Sequence, residues 1–213
     1  MKIKNWLLGA FLGATLSTVT PIVMANTAEA EEMQSYSPEL EAQAKQGNAK
    51  AQFDLGAAYY YGLDVEEDQK KAFEWYSKAA KQNDVEAIYA VGLMHYYAEA
   101  VKEDNVEAVK YFTRAAEMGN ADAQFLLGRI YEVGVEDVEM NADAAIKWLG
   151  KAGAQDMPEA YFHLAVIYDD GELVEEDMKK AIHYYELAAA KDEPNALNNL
   201  GAVYEEGEGV TQD

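Results

Sequence analysis

Ala51-Gln52-Phe53-Asp54-Leu55-Gly56 is the stretch whose reading decides the fold, because the chain repeats it. Ala87-Ile88-Tyr89-Ala90-Val91-Gly92 and Ala123-Gln124-Phe125-Leu126-Leu127-Gly128 superimpose on it. Ala160-Tyr161-Phe162-His163-Leu164-Ala165 and Ala196-Leu197-Asn198-Asn199-Leu200-Gly201 complete a set of five. The steps between the small residues are 36, 36, 37 and 36, and the extra residue falls between Gly134 and Asp143, in a loop that tolerates insertion. Ala51, Leu55, Gly56 and Tyr59 are spaced as one face of a helix. Gly inside a helix costs ~1 kcal/mol against Ala, so its recurrence predicts a second helix crossing closely at that point. Tyr59 and Gly62, Tyr131 and Gly134, Tyr168 and Gly171, and Tyr204 and Gly207 then end the helix in the same way, with His95 and Ala98 in the second copy.

Each copy continues through an acidic loop to a second helix. Asp68, Asp104, Asn141 and Asp177 stand where an N-cap should offer an oxygen to free backbone N–H groups. The helices they open carry two apolar stripes, Ala72/Trp75/Ala79 and Phe73/Tyr76/Ala80 in the first copy. One stripe packs on the partner helix and the other on the next repeat, which is the logic of a solenoid. Ahead of the first copy, Ser37-Pro38 reads as N-cap and N1 of a short helix ending at Gly47, a cap for the array. The expectation is an all-α, right-handed α-solenoid of antiparallel helix pairs. Its repeats span 48–83, 84–119, 120–156 and 157–192, with a partial copy at 193–213. Asp213 falls where the fifth copy's second helix should begin, so the sequence reads as cut at a half-repeat.

The pattern resembles the Sel-one-like repeat family (SLR), a longer-period relative of the tetratricopeptide repeat. Its motif, roughly A…LG…Y…G.GV…D..KA..W..KAA, is matched most fully by the first copy, and the resemblance runs from about Ser37 to the end. His95 for Tyr, Ala98 and Ala165 for Gly, and Tyr111 and Tyr184 for Trp depart from it, all at packing positions. The resemblance implies an adaptor or scaffold; in exported bacterial members the roles include envelope regulation and contact with host proteins. A cysteine-rich branch of the family is linked to β-lactam binding and hydrolysis, which gives the alternative reading. This chain has no Cys to staple its helix pairs, and it shows no Ser-x-x-Lys, Gly-x-Ser-x-Gly or His-Glu-x-x-His arrangement. A non-enzymatic reading is therefore preferred, with no cofactor.

Lys2 and Lys4 precede an apolar run from Trp6 to Val23, and Val23 and Ala25 occupy the −3 and −1 positions of a cleavage site. A Sec-type signal peptide over 1–25 follows, with cuts after Ala28 or Ala30 as alternatives and an acidic linker over 26–36. The protein is expected in the periplasm or secreted, with no membrane insertion once the signal is removed. The net charge of −22, from 17 Lys and Arg against 39 Asp and Glu, argues against nucleic acid and anionic lipid. It suits basic or neutral protein partners, and it also keeps a chain soluble.

Comparison of the copies separates two kinds of position. The motif barely changes, whereas Lys50, Asp54, Ala57 and Tyr61 and their equivalents change completely. First helices of such pairs line the concave side, so the varying residues Leu93, Tyr97, Leu126, Arg129, Val133 and His163 are the candidates for binding a protein or peptide. The competing reading has them touching the adjacent repeat. His95, His163 and His183 come from different elements and do not form a metal-binding pair. The acidic loops lack the ligand spacing of a calcium site.

Overall fold

The computed structural model describes residues 34–206, which form ten helices and no strand. The expected signal peptide and its cleavage site lie outside these residues. α1 (Pro38–Lys45) precedes four helix pairs: α2 (Ala49–Tyr61) with α3 (Gln69–Lys81), α4 (Val85–Tyr96) with α5 (Asn105–Glu117), α6 (Ala121–Val133) with α7 (Ala142–Gly153), and α8 (Pro158–Asp170) with α9 (Met178–Ala189). α10 (Pro194–Glu206) is the counterpart of the first helices in the chain's fifth copy of the repeat. Helices pack chiefly against their neighbours in sequence, so the expected all-α solenoid is what forms.

The starting points of the second helices are fixed by the same residues that the sequence singles out. Asp68, Asp104, Asn141 and Asp177 accept from the backbone N–H three residues on, at 3.0, 2.8, 3.0 and 3.1 Å. Their own N–H groups reach back to the carbonyls of Tyr59, His95, Tyr131 and Tyr168 at 2.8–3.1 Å. Each loop is thus clasped at both ends, and the second helix begins beside the end of the first and runs antiparallel to it. First helices have caps of their own at Asn48, Asp84 and Asn120, which accept from Ala51, Ala87 and Ala123. α1 starts as expected, with Ser37 accepting from Leu40 N–H at 3.0 Å. The end of the linker is held too: Tyr36 N–H donates to the Leu63 carbonyl, and its ring meets Tyr59 at 6.2 Å.

The two kinds of helix differ in how they bury. α3 is amphipathic, hiding Ala72, Tyr76, Ala79 and Ala80 and exposing Lys70, Lys71, Glu74 and Lys78. α2 and α4 are sandwiched, with Ala51 to Tyr60 and Ala87 to Met94 buried without a break. The helix crossings sit where the glycines recur. A Cβ on Gly56 would lie 2.7 Å from the Tyr76 ring, on Gly92 2.7 Å from Phe112, and on Gly128 2.7 Å from Leu149. Fully buried Tyr76, Phe112 and Leu149 therefore occupy the space that any larger residue would need. Gly201, on the last helix, meets nothing within 4 Å.

Buried polar groups inside the stack are satisfied by a device that appears twice. Gln52 donates to the Ala44 carbonyl at 3.0 Å and accepts from Gln82 at 2.8 Å. Gln124 donates to the Ala116 carbonyl at 2.9 Å and accepts from Gln155 at 2.8 Å. These side chains tie the start of a first helix to the ends of the second helices on either side. The residue inserted in the third repeat is absorbed by a tight loop, in which Val135 and Val138 exchange two 2.9 Å backbone hydrogen bonds.

Candidate functional site

The varying positions of the first helices fall into three levels along each helix. At the start, Lys50, Glu86, Asp122 and Glu159 are exposed. In the middle, side chains turn toward the adjacent repeat. At the end, Tyr61, Tyr97, Val133 and Asp170 are half-buried or exposed. The candidate residues divide along these levels, and Leu93 departs from expectation. It is 1% exposed and packed in the main hydrophobic cluster, so it offers no surface to a partner. Asp54 and Ala90, also on the varying face, are buried as well.

Arg129 occupies the register position of Leu93 one repeat later, yet stays half-buried because its guanidinium turns toward polar partners. Its Nε lies 3.1 Å from Glu132 Oε2, and a terminal N–H donates to the ring of His163 on α8. The His163 Nδ1 is 3.3 Å from Glu132 Oε1. Burial draws the Arg129 pKa down while Glu132 opposes that shift. The structure thus joins Arg129 and His163 across the α6–α8 interface, with Phe125 and Phe162 packed on the imidazole at 5.8 and 5.4 Å. Glu132, the acid that links them, was not among the sequence candidates. Its spacing of three from Arg129 was the available signal. Leu126 is half-buried against the main cluster, and Val133 is half-buried at the end of α6. Tyr97, the C-cap of α4, is 39% exposed and is the most open of the candidates.

The other histidines sit in ordinary surroundings. His95 stacks on Tyr111 at 5.7 Å and meets Phe73 edge-on at 5.7 Å, as a packed residue at a motif tyrosine position. His183 is exposed beside Tyr184. Among the described residues no group of three or more His, Cys, Asp or Glu is placed to hold a metal ion. No helix among them is long and apolar enough to cross a membrane.

At the helix ends the first two repeats differ from the next two. Tyr60-Tyr61 closes α2, and Tyr96-Tyr97 closes α4, each pair with rings edge-on at about 5 Å. The corresponding residues are Glu132-Val133 on α6 and Asp169-Asp170 on α8. Asp169 accepts from the Tyr185 hydroxyl at 2.7 Å, and burial raises the pKa of Asp170. Acids at a helix C-terminus face the negative end of its dipole and cost about 0.3–1 kcal/mol each. The second helices carry the opposite chemistry, with Lys78 over the Trp75 ring at 3.6 Å and Lys147 and Lys151 flanking Trp148. The varying side of the molecule is therefore aromatic at one end and acidic at the other.

This architecture belongs to a known class. The Sel1 repeat profile matches residues 49–84, 85–120, 121–157, 158–193 and 194–213, and the chain is a member of the Sel1 repeat family. Each match begins one residue after the boundary read from the sequence. A Sel1 repeat protein from Oxalobacter formigenes is similar in structure, at 32% identity and TM-score 0.69, over 78% of this chain and 68% of its own. A protective antigen present in uropathogenic Escherichia coli strains, displaying an SLR fold, is similar at 32% identity and TM-score 0.71. That match covers 82% of this chain and 37% of the antigen. No curated protein matches the chain. Sel1 repeat proteins generally mediate protein–protein interaction as non-catalytic scaffolds.

Proposed function

We propose that this chain is an exported scaffold, periplasmic or secreted, that captures a protein or peptide on the side lined by its first helices. One observation carries the reading: the residues that change from repeat to repeat include those that packing leaves open. Tyr61, Tyr97, Val133 and Asp170 occupy one register position and offer aromatic, apolar and acidic surroundings to a ligand, whereas the crossings beneath the first three of them are all glycine. A surface held at fixed spacing by a rigid stack, with different chemistry at each step, suits an extended segment or helix that spans several repeats. The acidic character of the helix ends and loops favours a partner with basic residues beside apolar ones. Export rests on the basic, apolar and small-residue pattern of residues 1–25. The similarity to a protective antigen supports it.

The test is capture from a periplasmic or culture fraction with the wild-type chain and a Leu126→Ala, Val133→Ala double variant. Capture should fall about tenfold or more in the variant, with helical circular dichroism retained. Full capture by the variant would overturn the assignment of this side. Sequencing of the exported protein should give Asn26 as its first residue. An intact Met1 would overturn the export reading.

A further inference from the structure

Between the first two repeats one carboxylate stands among four tyrosines and has no cation beside it. Glu99 follows α4 and folds back on α2, where its Oε2 accepts from the Tyr60 hydroxyl at 2.7 Å. Two alanines in left-handed backbone, Ala98 at φ 57° and Ala100 at φ 61°, bracket it. A non-glycine residue is strained there, so the loop holds Glu99 in place at a cost. Ala98 stands where other repeats have Gly62, Gly134 and Gly171. Among the described residues no Lys, Arg or His makes an ion pair with Glu99, and its neighbour Glu67 is another acid. Burial raises its carboxyl pKa.

The hydroxyls around it are short of partners. Tyr76 is fully buried and its hydroxyl has no hydrogen bond; its pKa is pushed up by burial first, then by Tyr61, Tyr60, Asp54 and Glu99, which places it at the same cluster. The Tyr61 hydroxyl is buried and unpartnered as well. Burial and the nearby acid push Tyr61 up to about 12, and burial, Tyr96 and Glu99 do the same for Tyr97. These hydroxyls remain neutral at physiological pH, and those of Tyr61 and Tyr76 sit unpartnered inside the wall. Tyr97, 39% exposed, is the open wall.

We infer that Tyr60, Tyr61, Tyr97 and Glu99 form a seat for a protonated lysine side chain of a bound protein. The aliphatic stem would lie against tyrosine rings, and the ammonium would donate to Glu99 and, as the Tyr61 side chain turns outward, to its unpartnered oxygen. The C-terminal ends of α2 and α4 add their negative dipole ends. This deepens the scaffold reading by naming a residue its partner should present, and it rests on that reading.

A dye-labelled tetra-lysine peptide titrated into the full chain by fluorescence anisotropy tests the seat. Glu99→Gln should weaken binding about tenfold, and Glu66→Gln, which removes the same charge from an exposed loop, by less than about twofold. Tyr61→Phe should weaken it about threefold while leaving the melting temperature unchanged or higher, because that hydroxyl supports nothing in the free protein. A tetra-lysine peptide acetylated on its side chains should not bind. Equal losses in Glu99→Gln and Glu66→Gln would show diffuse attraction to an acidic surface and overturn the seat, as would no binding by the wild-type chain. Neither Glu99 nor Tyr61 is replaced in the α6 double variant, so the seat and the wider binding side can fail separately.

Discussion

Tyr60-Tyr61 and Tyr96-Tyr97 end the first helices of the first two repeats; Glu132-Val133 and Asp169-Asp170 end those of the next two. Beneath this contrast the packing of the first three repeats is the same, with the glycine crossings of α2, α4 and α6 closed to 2.7 Å by Tyr76, Phe112 and Leu149. The main hydrophobic cluster runs without interruption from Leu40 to Trp148, while the third and fourth repeats also hold two smaller clusters. Between α6 and α8, Arg129 pairs with Glu132 and donates to the ring of His163 on the next first helix. The difference teaches that the motif secures the crossing of helices within a repeat and leaves the meeting of first helices free to vary.

The strongest test of the shared part is to fill the crossings. Gly56→Leu and Gly128→Leu should each lose about 3 kcal/mol or more in denaturant or thermal melts, since the new side chain has no room. Gly201→Ala, with open space around it, should be neutral or gain up to about 1 kcal/mol from helix propensity. Loss confined to one half would break the claim that the packing is common. The next effect concerns the varying part. Leu93→Ala should cost about 2–4 kcal/mol as a fully buried truncation, and half-buried Leu126→Ala about 1 kcal/mol. Equal costs would mean that the two halves bury this face alike.

Much of this was legible beforehand, and for a physical reason. Period, caps and crossings are local: Asp68 caps from its own chain neighbourhood, and Gly56 announces a close approach whatever the partner is. Leu93 was misread as open because variation between copies looks the same whether a residue faces solvent or a neighbour that varies with it. The link from Arg129 to His163 spans 34 residues, and each half taken alone is an ordinary polar residue. The glutamine clamps at Gln52 and Gln124 were visible as letters in the motif, but their partners Gln82 and Gln155 lie about thirty residues away. The caps Asn48, Asp84 and Asn120 were readable by the same rule that found the second-helix caps.

Smaller effects sharpen the contrast at the helix ends. Burial raises the Glu99 carboxyl in the folded chain above its unfolded value, so its ionised form opposes folding. Glu99→Gln should therefore melt at or above the wild-type temperature at neutral pH. That advantage should shrink as pH falls through the carboxylate range and the wild-type group takes its proton. A constant advantage at all pH values would show that the effect is not one of charge. Asp170, whose carboxyl is also raised by burial, sits at the end of α8. Asp170→Asn should gain about 0.3–1 kcal/mol at neutral pH by relieving the unfavourable dipole contact, and the gain should fade in acid in the same way.

The central claim, that the varying side of the first helices is where a partner sits, is tested most directly by photo-crosslinking in the producing cell. A photoreactive phenylalanine analogue would replace Tyr97 or Val133 on the first helices, and Glu74 or Lys151 on the second. The account predicts a discrete crosslinked product from Tyr97 and Val133 and none from Glu74 and Lys151. Products from the second-helix positions alone would contradict it.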